Sequence, residues 1–190
     1  MSDTTFNYQD LYHVGVRTSN IDKAMAELGK SLRITWAELQ VREQTCWMPG
    51  KGLQTFPLKF TYSCEGPQHV ELLESVPGAP WYGNDAPGVH HMGMWVDDVK
   101  ATTERFIAEG WTLEVCAAAP EDGYGSFSYV RSPSGFLLEP VISAARPMFE
   151  NWWPAVRWLR RKRSNRTFQS RGPTGRSPFT VMRCIKRGSV

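Results

Sequence analysis

Two strings in this sequence begin with histidine and carry glycine two places on: His13-Val14-Gly15-Val16 and His91-Met92-Gly93-Met94. A glutamate inside an apolar run follows each. Glu71, in Val70-Glu71-Leu72-Leu73, comes 58 residues after His13, and Glu139, in Leu138-Glu139-Pro140-Val141, comes 48 after His91. Each half of the chain thus offers one imidazole and one carboxylate, in the same order. Brought to one point, two His and two Glu form a mixed nitrogen and oxygen donor set. Such a set suits one divalent ion such as zinc, nickel, cobalt, manganese or iron better than a thiolate site would. Four protein ligands on an octahedral ion leave two adjacent places for two neighbouring oxygens of a substrate. The ion is then a Lewis acid, and the enolate left by loss of the adjacent proton is stabilised where it forms. Glu139 or Glu71 is the candidate base, because polarisation by the ion acidifies the carbon it attacks.

Any one of these residues alone would pass for a packed strand histidine or a solvated glutamate. Repetition of all four in register favours a site. His90 is set aside, because tandem residues of an extended strand point to opposite faces and the repeat aligns His91 with His13.

The elements that must position these groups also repeat. Leu11 to Arg17 alternates as a strand, with His13, Gly15 and Arg17 on one face. A helix follows, capped by Ser19 or Asn20, with an apolar stripe at Ile21, Met25, Leu28 and Leu32. Ile34 to Val41 reads as the second strand, and Cys46 to Gln54, with Pro49, Gly50 and Gly52, as a loop. Phe56 to Cys64 and His69 to Glu74 read as strands joined by the turn Glu65-Gly66-Pro67-Gln68. Val76 to Gly88 is a Pro- and Gly-rich linker whose Trp81 and Tyr82 are candidate pocket walls. Val89 to Val96 opens the second half, and Asp97 or Asp98 caps a helix that Gly110 ends. Trp111 to Cys116, Phe127 to Arg131 and Phe136 to Ile142 complete it as strands, with Ala117 to Gly125 a loop and Ser132-Pro133-Ser134-Gly135 a turn. Each half is strand, helix, three strands, which points to a duplicated module.

The 190 residues suit one domain or two small modules sharing a core. No apolar run reaches the ~18 to 20 residues of a membrane span. The polar start, Met1 to Asp10, has no apolar signal region, so a cytoplasmic location is expected. Cys46, Cys64, Cys116 and Cys184 are scattered and read as free thiols. The net charge of +3 hides an asymmetry. Arg157 to Arg187 holds 11 Lys and Arg and no acid, which leaves 22 − 11 = 11 bases against 19 acids in the rest. The organisation expected is a domain over 1–145, with modules at about 10–76 and 88–142. A short aromatic helix or linker over 146–159 and a disordered basic tail over 160–190 follow. With Phe168 and Phe179 the tail is the one hint of nucleic acid, and a solvated extension is the preferred account.

The strings HVGV, VELLE, GVHHMGMWVDDV and SPSGFLLEPV resemble the vicinal oxygen chelate superfamily over about Leu11 to Ile142. That group holds glyoxalase I, methylmalonyl-CoA epimerase, extradiol dioxygenases and bleomycin-resistance proteins. The resemblance implies an α+β fold of two tandem βαβββ modules in a curved, half-open barrel around one metal. It places the ligands at His13, Glu71, His91 and Glu139, and it implies a homodimer acting on a small molecule. A possible substrate pocket includes His69, Trp95 and Tyr129, with Tyr124 and Trp81 as further walls. The function implied is a metal-dependent lyase or isomerase, of glyoxalase I or methylmalonyl-CoA epimerase type, using a chelated enolate of a carbonyl or thioester substrate. The chain departs from the pattern at three places. Ser132 replaces the Asp of D-P-x-G-x-x-x-E, and Glu71 stands where the epimerase has Gln. Residues 45–64 hold no acid for the epimerase's second base, and Glu38 and Glu43 are poorly placed substitutes. An Fe(II) extradiol dioxygenase is the alternative, which a fourth ligand at Glu71 would obstruct. A resistance-type protein that sequesters a small molecule without metal is the other.

Overall fold

The computed structural model describes residues 8–82 and 88–154, all within the compact unit Met1–Arg157. The stretch expected to be a disordered basic tail lies outside the described residues.

The first strand, β1 (Leu11–Thr18), leads into α1 (Ile21–Leu32). Of the two candidate caps, Asn20 is the one used. Its side chain accepts the Lys23 N–H at 2.9 Å, satisfying a donor left open by the first turn. Arg33, at φ 56, ends the helix in the left-handed conformation. Three strands follow, β2 (Gln40–Met48), β3 (Gly52–Tyr62) and β4 (His69–Glu74). The second half repeats the order with β5 (Gly88–Val96), α2 (Val99–Ala108), β6 (Thr112–Cys116), β7 (Ser128–Arg131) and β8 (Leu137–Ile142). Asp98, not Asp97, caps α2 by accepting the Ala101 N–H at 2.9 Å. The helix buries Val99, Thr102, Thr103 and Phe106. A last helix, α3 (Arg146–Trp152), carries aromatic residues back onto the barrel.

The strand reading of the first module needs one correction. Of the expected strand Ile34 to Val41, only Gln40 and Val41 belong to β2; the residues before them make no strand apart from a lone bridge between Trp36 and Ser63. The second strand runs instead through the expected loop, as far as Met48. Pro49 to Lys51 is only the tip of a long β2–β3 hairpin. The Pro-Gly pair there marks a reversal within β structure and not its end.

The strands close in the order β1-β4-β3-β2-β6-β7-β8-β5. Within each module the first and last strands run side by side and parallel, β1 with β4 and β5 with β8. The modules meet along antiparallel β1 and β5. On the opposite side β2 and β6 share one register pair, Trp47 with Cys116, so the half-open flank of the curved barrel is bridged rather than zipped. One apolar cluster joins Tyr12, Phe60, Tyr62, Trp95 and Trp153, with Phe149 and Trp152 of α3 packed against it. No described helix is long and apolar enough to cross a membrane.

Candidate metal centre

The β1–β5 seam explains the histidine-x-glycine strings. In its register His13 faces Gly93 and Gly15 faces His91. Each imidazole lies over the other strand's glycine. A Cβ on Gly15 would stand 2.1 Å from His91 Cε1, and one on Gly93 would stand 1.8 Å from His13 Cε1. No side chain fits there, so the glycines are the space that the rings occupy. The parallel neighbours add the carboxylates, because Glu71 is in register with Gly15 and Glu139 with Gly93. Each glycine therefore lies between a carboxylate on one side and an imidazole on the other.

All four side chains are buried, with His13 and His91 at 1 %, Glu71 at 6 % and Glu139 at 9 % exposure. The Nε2 atoms of His13 and His91 are 2.8 Å apart. His13 Nε2 lies 3.4 Å from Glu71 Oε2 and 3.2 Å from Glu139 Oε2. His91 Nε2 lies 3.2 Å from each of the same two oxygens. One ligand atom from each residue falls within 4.8 Å of all the others.

These separations fit an ion. Donors about 2.1 Å from a common octahedral centre lie about 3.0 Å apart when adjacent and about 4.2 Å when opposite. The contacts involving either histidine are all in the adjacent class. Glu71 Oε2 is buried yet has no hydrogen-bond partner, although two imidazole nitrogens are close. Its contacts have the distance of ligands around a point, without the direction of hydrogen bonds. A buried carboxylate in that state is costly unless a cation satisfies it.

Electrostatics agree. Burial alone would lower the His91 pKa, but the Glu139 and Glu71 carboxylates overcome it and hold it up to about 9. His13 is raised against its own desolvation by the adjacent Glu139 and Glu71 carboxylates. Burial would raise both glutamates, yet the imidazoles pull Glu71 and Glu139 below the usual carboxylate range. Two buried negative charges thus favour positive charge beside them, which protonation of the imidazoles supplies in part when no ion is bound and a divalent cation would supply in its place.

His90, set aside from the sequence as a ligand, has a different place. Its Nδ1 is 3.0 Å from His91 Nδ1. Desolvation, then the charge on His91, lowers the His90 pKa to about 3, so this ring is neutral. A His91 that presents Nε2 to an ion carries its proton on Nδ1, and His90 Nδ1 accepts it. That contact orients the ligand ring. Sequence alternation hid it, because alternation concerns where side chains face and not where adjacent rings can touch.

The cluster opens into a cavity of about 340 Å³. Glu71 and Glu139 reach it, and Tyr12, Phe60, Tyr62, Trp81, Phe127, Tyr129 and Phe149 wall it. Of the expected pocket residues, Tyr129 lines this space and packs its ring 5.0 Å from that of His91. His69 and Trp95 do not; they line a second recess beside Trp153. There His69 Nδ1 donates to the Ser63 carbonyl at 2.7 Å, and its ring stacks on Trp153 at 3.8 Å. Trp95 stacks on Tyr12 at 3.8 Å. Tyr82 serves through its backbone, accepting from Arg17 at 3.1 Å, and Tyr124 belongs to the α2 side of the core. Arg42, Gln44, Met148 and Phe149 also line the cavity, and sequence reasoning singles out none of them. The polar alternation on β2 and the aromatic run near Phe149 are the available signals.

The sequence profile of the glyoxalase/bleomycin resistance protein/dioxygenase superfamily matches residues 12–129. No curated protein matches the chain. Among solved structures it is similar to a Streptomyces coelicolor methylmalonyl-CoA epimerase variant in complex with 2-nitronate-propionyl-CoA. The identity is 18 %, over 71 % of this chain and 94 % of that one, with a TM-score of 0.50. It is also similar to a methylmalonyl-CoA epimerase in complex with methylmalonyl-CoA and NH4+, at 19 % identity over 72 % and 95 % of the two chains, with a TM-score of 0.50. At these identities the likeness concerns the fold, and it agrees with the paired modules. With the profile covering most of the barrel, the chain belongs to the glyoxalase/bleomycin resistance protein/dioxygenase superfamily, that is, to the vicinal oxygen chelate proteins.

Proposed function

We propose that this protein is a metal-dependent lyase or isomerase of a small carbonyl or thioester compound. The observation that carries the reading is the convergence of His13, Glu71, His91 and Glu139 at the inner end of an aromatic-walled cavity. These four residues would hold one divalent ion of unassigned identity. When bound, it would polarise a substrate carbonyl and acidify the neighbouring C–H.

The chain's own groups supply the rest. Glu71 and Glu139 each place Oε2 in the cluster, which leaves Oε1 available for a proton. Glu139 is the better base, its side chain 12 % exposed against 7 % for Glu71. No other acid among the described residues lines the cavity. Glu43 is on the outward face of β2, and the Glu38 carbonyl accepts the Trp152 indole N–H at 3.1 Å. Proton transfer by a single carboxylate, out and back, is therefore favoured over two-sided epimerisation. The aromatic walls exclude water around that carboxylate. The homodimer expected from the resemblance is part of the same proposal.

Elemental analysis of the purified protein is the first test, with about one divalent ion per chain expected and a loss in His91→Ala. The second is α-proton exchange with solvent deuterium, under anaerobic conditions, on branched acyl thioesters and hemithioacetals of 2-oxoaldehydes. Glu139→Gln should lose exchange by about 100-fold or more. Fe(II)-dependent oxygen uptake with catechols and no exchange would move the assignment to ring cleavage. Tight metal-free binding of an aromatic compound would move it to sequestration.

A further inference from the structure

Besides Glu71 and Glu139, one ionic side chain among the described residues lines the cavity, Arg42. It lies on the inner face of β2 with Gln44, two residues along the same strand. Its guanidinium sits 5.2 Å from the centre of the Phe60 ring. No carboxylate among the described residues pairs with it. The metal reading, on which this inference rests, makes that charge consequential. Two carboxylates offset a divalent ion, so the loaded cavity keeps one uncompensated positive charge, at Arg42.

Trp81 is 3 % exposed and lines the same cavity. Most of the remaining walls are aromatic or aliphatic, including Phe60, Leu73, Phe127 and Val141. A cavity of about 340 Å³ is at the small end of the range for small-molecule sites, about 300 to 1,000 Å³.

We infer that the ligand of this cavity is a small carboxylate with a flat, apolar body. Its carboxylate pairs with Arg42. The guanidinium fork matches a carboxylate bidentately, and the aromatic faces take the body between them. A neutral ligand of the same shape would leave the Arg42 charge unmatched.

The test compares acids with their amides on the full-length, zinc-loaded protein by calorimetric titration. The probes are 3,4-dihydroxybenzoate and the longer 3-(3,4-dihydroxyphenyl)propanoate, each against its primary amide. All four carry neighbouring oxygens at one end, and zinc keeps them chemically inert. At least one acid is expected to bind about 10-fold or more tighter than its amide. In Arg42→Gln that preference should fall below about 2-fold while the amides bind as before, which also shows that the variant is folded. Added salt should shrink the acid preference, because Arg42 is exposed enough to be screened. Equal affinity of acids and amides, a preference that survives Arg42→Gln, or no binding of any probe overturns the inference. Zinc content of the same samples separates the two readings. An acid preference in protein that holds no zinc would sink the metal reading and keep Arg42, whereas zinc-bound protein without the preference would sink Arg42 alone.

Discussion

A single methyl group at Gly93 tests the site more sharply than removal of a ligand. The Cβ of Gly93→Ala would stand 1.8 Å from His13 Cε1, whereas ordinary contacts begin near 3.4 Å. The ring must therefore retreat by about 1.6 Å, from the difference of those two distances, against a tolerance of about 0.2 Å for a ligand bond. Gly93 pairs across the seam with His13 and does not have a left-handed backbone, so the strain is steric and local. Forcing a buried ring out of its well costs about 1 to 3 kcal/mol. In metal-free protein, Gly93→Ala should lower unfolding free energy by that amount. In a chelator-competition titration it should weaken zinc binding by about 100-fold or more, since His13 can no longer reach its place. The double variant His13→Ala with Gly93→Ala should regain most of the lost stability, because the clash disappears with the ring. Native zinc affinity in Gly93→Ala, or destabilisation that persists undiminished in the double variant, would refute the account.

Other outcomes follow from the same geometry. Metal-free stability should be greatest near pH 6.5, from the direction of the shifts, because the lowered His90 and His69 cost stability as pH falls below that value. The raised His13 and His91 contribute fully below their unfolded value of 6.5; both contributions fade as pH rises, that of His91 through about 9. The lowered Glu71 and Glu139 contribute above 4.5 and fade as pH falls. Loaded with zinc, the imidazoles are neutral, so the melting temperature should rise with pH from about 6.5 to 8 while that of metal-free protein falls; parallel slopes in scanning calorimetry would contradict this. His90→Ala, by removing the acceptor beside His91 Nδ1, should weaken zinc binding by about 10- to 100-fold with little change in metal-free melting; an unchanged affinity would strip His90 of its orienting role. Truncation after Leu159 should leave both melting temperature and zinc content unchanged, and a large loss of stability would show that the basic tail packs on the barrel.

The cluster of two His and two Glu was legible in the sequence because it sits on strands, where alternation fixes the face and duplication fixes the register. His13 and Gly15 on β1 repeat as His91 and Gly93 on β5, so one string interprets the other. The distance along a strand was less legible. His69 shares a face with Glu71, and Trp95 with His91, as alternation requires. Each lies near a strand end, where α3 and Trp153 cover it, so neither reaches the main cavity. The hairpin of β2 and β3 was misplaced because its inner face carries Arg42 and Gln44 in place of apolar residues. A strand that lines a polar mouth has no hydrophobic period to read. The closing contribution of Phe149 was hidden for a different reason, since it depends on where a helix returns after the repeat has ended.

The β1–β5 seam has one more consequence. Neither module owns the centre, because each supplies one imidazole and one carboxylate. A separate half would present two donors, too few to discriminate among cations. Four donors exist only when the halves are docked in the register that lays each histidine over the opposite glycine. Cation binding and docking are therefore two readings of one equilibrium: a cation that prefers the docked state must tighten it, and docking must tighten the cation. At a free cation concentration about 100 times the dissociation constant, that linkage is worth about 2.7 kcal/mol. It acts at the boundary where two copies of an ancestral module would have first had to recognise each other.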